Sequence, residues 1–337
     1  MNHFRELELD RGYDSSGIDG GLVYYSAEYG RFLKSVLRAE SKYLSSGPDR
    51  EIAALLPMMI TEGPTGRVMN ALPFFGSHGA PIVKSGSETS VTDLLGYVEN
   101  GIRSGLWNSV TVVENPLSPM SYEEVQCLQF LTPVDDRISQ ITHRNSMSTD
   151  SLESLMSHFH SKMRNAIRKG AMSKQEVRLG GSDSEWEFLI RGHQRSIIEL
   201  GGVPKSDEVF RRLRQILGEM IRLHCGYVGE KIVTALLTIR YGKTSEYFVP
   251  VVESSWRHQQ VLPHLIATVM LQDFRDGVVY WNWGGTWRNQ PGVLQFKSRF
   301  SATNRPYRYF NWCDAKMQRL TIDEIRANYR YWYVRKV

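Results

Sequence analysis

Between residues 226 and 283 the sequence places three short strand-like runs, one amphipathic helix and an aromatic strand in a fixed order, and this order restricts the fold more than any other feature. The runs cover 226–228, 232–240 and 245–252. Leu262, Leu265, Ile266, Val269, Met270 and Phe274 then recur at helical spacing, and 278–283 reads as a strand. Two helices precede the runs, over 186–200 and 207–223. Helices, then antiparallel strands, then strand–helix–strand predicts a mixed sheet with helices on both faces, an α/β (mixed α+β) class.

The first half follows a similar plan without a visible sequence repeat. Residues 1–21 end in Gly17, Gly20 and Gly21 and read as a mobile or loosely docked lead-in. A helix carries Tyr29, Phe32, Leu33, Val36 and Leu37, and strands are expected at 52–60, with Pro57 marking an edge or bulge, and at 68–72. A helix over Leu94, Leu95, Val98 and Ile102, a strand at 109–113, a helix at 122–130 and a strand at 137–143 complete this half. The polar, turn-rich stretch 143–150 (HRNSMSTD) sets a domain boundary, giving domains 1–145 and 146–337.

At 337 residues with a net charge of +5, the chain has ample length for a core and permits a phosphate-bearing partner without requiring one. Cys127, Cys225 and Cys313 are isolated and odd in number, which supports neither a zinc knuckle nor a disulfide framework and suits a reducing compartment. The N-terminal MNHFRELELDRGYDSS lacks the apolar core of a signal peptide, and no run reaches membrane-span length, so the expected location is cytoplasmic. No HExxH, GxSxG or P-loop occurs, and His158 and His160 are two apart, so no metal site is expected.

The densest chemistry lies in 278–300, VVYWNWGGTWRNQPGVLQFKSRF. Gly284-Gly285 past a strand end allows a sharp turn and close ligand approach. Trp281, Trp283 and Trp287 would wall that opening, and Lys297, on the following short helix with Phe296 and Phe300, would place a cation over it. The alternative is a sheet edge whose aromatics are core and whose lysine is solvated. Upstream, Phe159, Met163, Ala166 and Ile167 form an apolar helical stripe, and Lys162, Arg164, Arg168 and Lys169 fill the remaining arc.

Gly284-Gly285, Gly292-Val293, Phe296-Lys297 and Phe300 resemble the C-terminal signature of the FemAB family, the Fem-type relatives of GNAT acyltransferases. SHFHSKMRNAIRK (157–169) resembles that family's basic helix, and LPFFGSHGAPIV (72–83) its glycine-rich loop. The resemblance implies two tandem GNAT-like domains that transfer an acyl or aminoacyl group to an amine of a cell-envelope glycan or amino-sugar precursor. It points to Lys297 as the cation at the oxyanion or at an acceptor phosphate. Arg164, Arg168, Tyr247, Trp283, Gly285 and Phe296 would contact the acceptor.

A GNAT enzyme using acetyl-CoA carries a glycine-rich turn that grips pyrophosphate at a helix N-terminus. Here the junction reads Arg257-His258-Gln259-Gln260-Val261-Leu262-Pro263, without the glycines, leaving Arg257 and Gln260 as donor contacts. No bound cofactor is expected; the co-substrate is acyl-CoA or aminoacyl-tRNA. The candidate proton acceptors are Glu253, beside this junction, and His78 in the first-domain loop, with Glu246 and Tyr247 on the preceding strand. Two alternatives stand beside this: a tRNA-dependent peptidoglycan aminoacyltransferase, although the long helical-hairpin arm of those enzymes is not visible, and a non-catalytic glycan- or nucleotide-binding module.

Overall fold

The computed structural model describes residues 4–18, 20–37, 39–47, 52–71, 78–126 and 130–336. The chain begins β1 (Arg5–Leu7), α1 (Ala27–Leu37), β2 (Glu40–Ser46), β3 (Ala54–Gly63), β4 (Gly66–Ala71), β5 (Ile82–Val83) and α2 (Val91–Arg103). Next come β6 (Ser109–Val113), α3 (Tyr122–Gln126), β7 (Thr132–His143), α4 (Leu152–Ser157), α5 (Ser161–Met172), β8 (Glu176–Gly180), α6 (Asp183–Glu199) and α7 (Asp207–Leu217). β9 (Ile221–Val228), β10 (Lys231–Tyr241), β11 (Thr244–Val252), α8 (Val261–Arg275), β12 (Tyr280–Trp287) and α9 (Pro291–Ser298) follow. β13 (Thr303–Cys313), α10 (Ala315–Gln318) and α11 (Ile322–Asn328) end it.

These elements form two compact units, one of residues 1–138 with 306–337 and one of 139–305. The divisions fall inside β7 and β13. In the first unit the strand order is β1–β2–β3–β4–β6–β13, with β5 on β3. In the second it is β7–β12–β11–β10–β9–β8.

Both units carry the same local plan. Each has a three-strand antiparallel meander (β2–β3–β4 and β9–β10–β11), a crossover helix (α2 and α8) and a strand returning parallel to the third (β6 on β4, β12 on β11). A parallel return demands a crossover, and an apolar-striped helix is the shortest device that supplies one. Leu94, Leu95, Val98 and Ile102 of α2 are buried in the first core with Leu56, Met58, Val110 and Val112. Leu265, Ile266, Val269, Met270 and Phe274 of α8 are buried in the second core with Leu155, Met163, Ile167, Trp281 and Phe300.

Several expectations are corrected. The division at 145/146 had assigned 306–337 to the second domain; instead β13 pairs with β6 from Tyr309↔Val113 to Cys313↔Ser109, so this segment belongs to the first unit. The lead-in is docked, since β1 pairs with β2 and Leu9 and Ile18 are buried. The helix expected over 207–223 stops at Leu217, because Gly218 at φ 51 ends it and Ile221–Leu223 joins β9. The basic helix is interrupted at His158–His160, where the His160 ring accepts from Lys162 N at 3.2 Å and so caps α5. In the expected helix 122–130, residues 127–129, Cys127 among them, lie outside the described residues, as do 72–77 of the glycine-rich loop. Among the described residues, no helix is long and apolar enough to cross a membrane.

Candidate functional site

The second unit opens its sheet between β11 and β12. Their parallel register runs Thr244↔Tyr280, Ser245↔Trp281 and Glu246↔Asn282 and stops there, although both strands continue. A bulge supplies the bend: Leu237 of β10 faces Val249 and Thr238 faces Tyr247, so Phe248 is an extra residue on β11. An inserted residue kinks its strand and increases its local twist. Gly284, at φ 69, lets β12 turn past the last shared rung.

A buried polar group closes the base of this fork. Glu246 is 2 % exposed and accepts from Asn282 Nδ2 at 3.1 and 2.9 Å. Asn282 Oδ1 accepts from Ser139 Oγ and from the Gly284 amide, both at 3.0 Å. The amide is therefore fixed from both ends and holds the carboxylate at the point where the strands part. In YWNWGG, Asn282 alternates with two tryptophans, so the polar side chain and the indoles occupy opposite faces.

The indole face is packed rather than open. Tyr247 and Trp283 have ring centroids 5.0 Å apart, Trp283 and Phe300 4.9 Å, and Phe296 and Phe300 5.5 Å. Trp281 and Trp283 are buried, and Trp283 Nε1 donates to Thr142 Oγ1 at 3.0 Å. Burial pushes the Tyr247 phenol above its usual range. Tyr247, Trp283 and Phe296 are thus brought together, as members of one aromatic cluster.

Lys297 is buried, not held over an open cleft. Its Nζ donates to Trp283 O at 2.8 Å, Gly284 O at 3.3 Å and Thr286 Oγ1 at 2.7 Å. An ammonium has three N–H donors, and all three are engaged within the exit of β12. Burial lowers its pKa from 10.5 to about 8. Gly285 lies within this same exit, next to Gly284.

The remaining expected residues fall elsewhere. Glu253 and Arg257 line a cavity of about 90 Å³ between the end of β11 and α6, together with Arg191, Gly192, Arg195 and Val251. Arg195 Nη1 donates to Glu253 Oε1 at 3.3 Å. Arg164 donates to Phe159 O at 2.6 Å, and Arg168 pairs with Glu153 at 2.9 Å. His78 belongs to the first unit, fully buried against Tyr307 with ring centroids 4.6 Å apart. Its Nδ1 is 3.1 Å from Glu114 O, Nε2 has no hydrogen-bond partner among the described residues, and burial lowers its pKa to about 3.

The N-terminus of α8 is partly covered. Gln260 precedes it in the left-handed region, at φ 60. A Cβ placed on Gly170 of α5 would lie 2.4 Å from Gln260 O and 2.7 Å from His264 Cβ. Val261 has no exposed surface, and Pro263 has no amide hydrogen to offer.

Comparison with known proteins agrees with this geometry. Residues 157–298 match the family profile described as the acetyltransferase (GNAT) domain. The fold is similar to that of FemX, with a TM-score of 0.73, 11 % identity and coverage of 93 % of this chain and 97 % of that one. It is similar also to a tandem GNAT protein from the clavulanic acid biosynthesis pathway, with a TM-score of 0.53, 8 % identity and coverage of 92 % and 97 %. L-PGS from Bacillus licheniformis gives a TM-score of 0.51 at 10 % identity, covering 89 % of this chain and 94 % of that one. No curated protein matches the chain significantly in sequence. The resemblance to Fem-type GNAT proteins drawn from the sequence holds at the level of the fold, a tandem GNAT-like architecture.

Proposed function

We propose that this chain is an N-acyltransferase that joins an acyl or aminoacyl group to an amine on a cell-envelope glycan or amino-sugar precursor. The observation that carries the reading is the forked β11–β12 pair with Glu246 buried at its base. Amine acylation forms a C–N bond, expels the carrier's oxygen or sulfur, and releases one proton from the attacking nitrogen. The site must align the two reactants and accept that proton. Glu246, oriented by Asn282, is the proton acceptor in this reading, in place of Glu253, whose carboxylate is engaged with Arg195. Lys297 is a positioning residue that fixes the β12 exit through Trp283, Gly284 and Thr286.

Of the two donor classes, the partly covered α8 N-terminus favours an aminoacyl ester of RNA over acyl-CoA. A pyrophosphate grip uses exposed amides in the first helical turn. Here Val261 is buried, Pro263 has no N–H, and the α5 backbone is packed against Gln260.

The test is a donor screen: acyl-CoAs and aminoacyl-tRNAs, each with amino-sugar nucleotides and lipid-free glycan precursors, read by product mass. Turnover is expected with at least one pair, and Glu246→Gln should reduce it on the order of 10²–10⁴-fold with the fold retained. Full activity in Glu246→Gln removes the assigned base. Tight acceptor binding without turnover by any donor replaces the enzyme reading with that of a binding module.

A further inference from the structure

The cavity at the end of β11 opens to the surface and is lined by three exposed arginines. Phe188, Arg191, Gly192, Arg195 and Ser196 follow one face of α6 at helical spacing, and Arg257 approaches from the turn after β11. Arg191 and Arg195 stand four apart on that helix, where like charges repel. Each arginine meets one carboxylate. Arg191 pairs with Glu187, Arg195 with Glu253 at 3.3 Å, and Arg257 with Glu199 at 3.1 Å. Each guanidinium has five N–H donors, and a single carboxylate leaves donors to spare.

We propose that this cavity is a phosphate-binding site that takes one phosphate of the acyl donor's carrier; the assignment of that phosphate to a donor rests on the acyl-transfer reading above. Size agrees. At roughly 10–15 Å³ per water position, a cavity of about 90 Å³ holds a handful of waters, the room of one tetrahedral oxyanion. Gly192 sets the approach: a Cβ there would lie 2.1 Å from Val251 Cγ1, so α6 packs closely on β11, and Arg191 and Arg195 flank that contact. The start of α8 supplies the second reason. Val261 is buried and Pro263 has no N–H, so that first turn offers a phosphate fewer amides, and guanidinium forks match phosphate oxygens in pairs.

The experiment titrates two unacylated probes, CoA and an RNA minihelix ending in CCA, into the full chain and into Arg195→Gln and Arg191→Gln/Arg195→Gln. One probe should bind, and its identity distinguishes a nucleotide pyrophosphate from an RNA backbone as the source. Binding should weaken on the order of tenfold in the single variant and a hundredfold in the double. For RNA the slope of log K against log salt should fall by about 0.7 for each lost contact. Glu253→Gln removes a competing carboxylate and should tighten binding severalfold, an opposite sign that a merely damaged fold does not produce.

Failure of both probes to bind wild-type protein, or equal binding by the variants, overturns the site. Because binding is read without turnover, the two readings separate. Lost binding in the arginine variants beside an inactive wild type keeps the site and removes the acyl transfer. An active wild type with unaltered binding in the variants does the reverse.

Discussion

Lys297 shows how the surroundings of a residue define its task. Three acceptors around its Nζ make it a clamp on the β12 exit, so Lys297→Met should strand buried carbonyls. The expected cost is about 1–3 kcal/mol in a urea melt. The same lysine sets a pH response with a definite sign. Its folded pKa, about 8, lies below the ordinary 10.5. Its contribution to stability is therefore fully present above pH 10.5 and is lost as pH falls through 8. Wild type should gain on Lys297→Met as pH rises between those values, and parallel pH curves for the two proteins would show that burial does not depress this pKa. Lys297 was legible in the sequence because it lies within a glycine- and aromatic-rich motif. Glu246 was visible beside the candidate proton acceptors, but its place opposite Asn282 was not, since pairing register is not written in local composition. Ser139, in the distant β7, gave no signal of its own.

Elements with strong periodicity were readable and weakly patterned ones were not. α8, β10 and β11 fall where the apolar spacing puts them, whereas β12 runs on to Trp287 and holds Gly284-Gly285 within it rather than past its end. β2 (ESKYLSS) and β8 (EVRLG) are short and polar, and their pairing comes from neighbours rather than from their own pattern. The contact between α5 and α8 was equally hidden, since it depends on one missing Cβ. Gly170→Ala tests it. Alanine gains up to about 1 kcal/mol of helix propensity. The new methyl would, however, meet the Gln260 carbonyl oxygen at 2.4 Å, a backbone atom with little freedom to move. Overpacking of this kind costs about 1–3 kcal/mol, so the net change in a thermal melt should be destabilising. A stabilised Gly170→Ala protein would show that α5 yields, and that the α8 N-terminus is accessible after all.

For the molecule as a whole, buried neutral histidines set the acid limit. Burial lowers the pKa of both His78 and His224 to about 3, well below the 6.5 of an exposed imidazole. As pH falls below 6.5 the unfolded chain takes up protons that these two sites refuse. Their stability contribution is thus complete above 6.5 and is lost toward 3, with a slope of up to about 1.4 kcal/mol per pH unit for each histidine. Denaturant melts from pH 7 to 4 should show this slope, and His78→Gln should reduce it by about one proton. A wild-type slope unchanged by that substitution would mean that His78 titrates normally. The return of 306–337 to the first unit has a further consequence, in the order of synthesis. The ribosome releases the whole of 139–305 before the strand that neighbours β6 exists, so the unit begun first is completed last. Until then β6 presents an unpaired edge, and Gly66 and Asn70 await Tyr329 and Tyr333. The nascent chain therefore carries an unfinished sheet from β6 until β13 is made, and slow elongation just before the codons of β13 should raise aggregation more than an equal delay elsewhere.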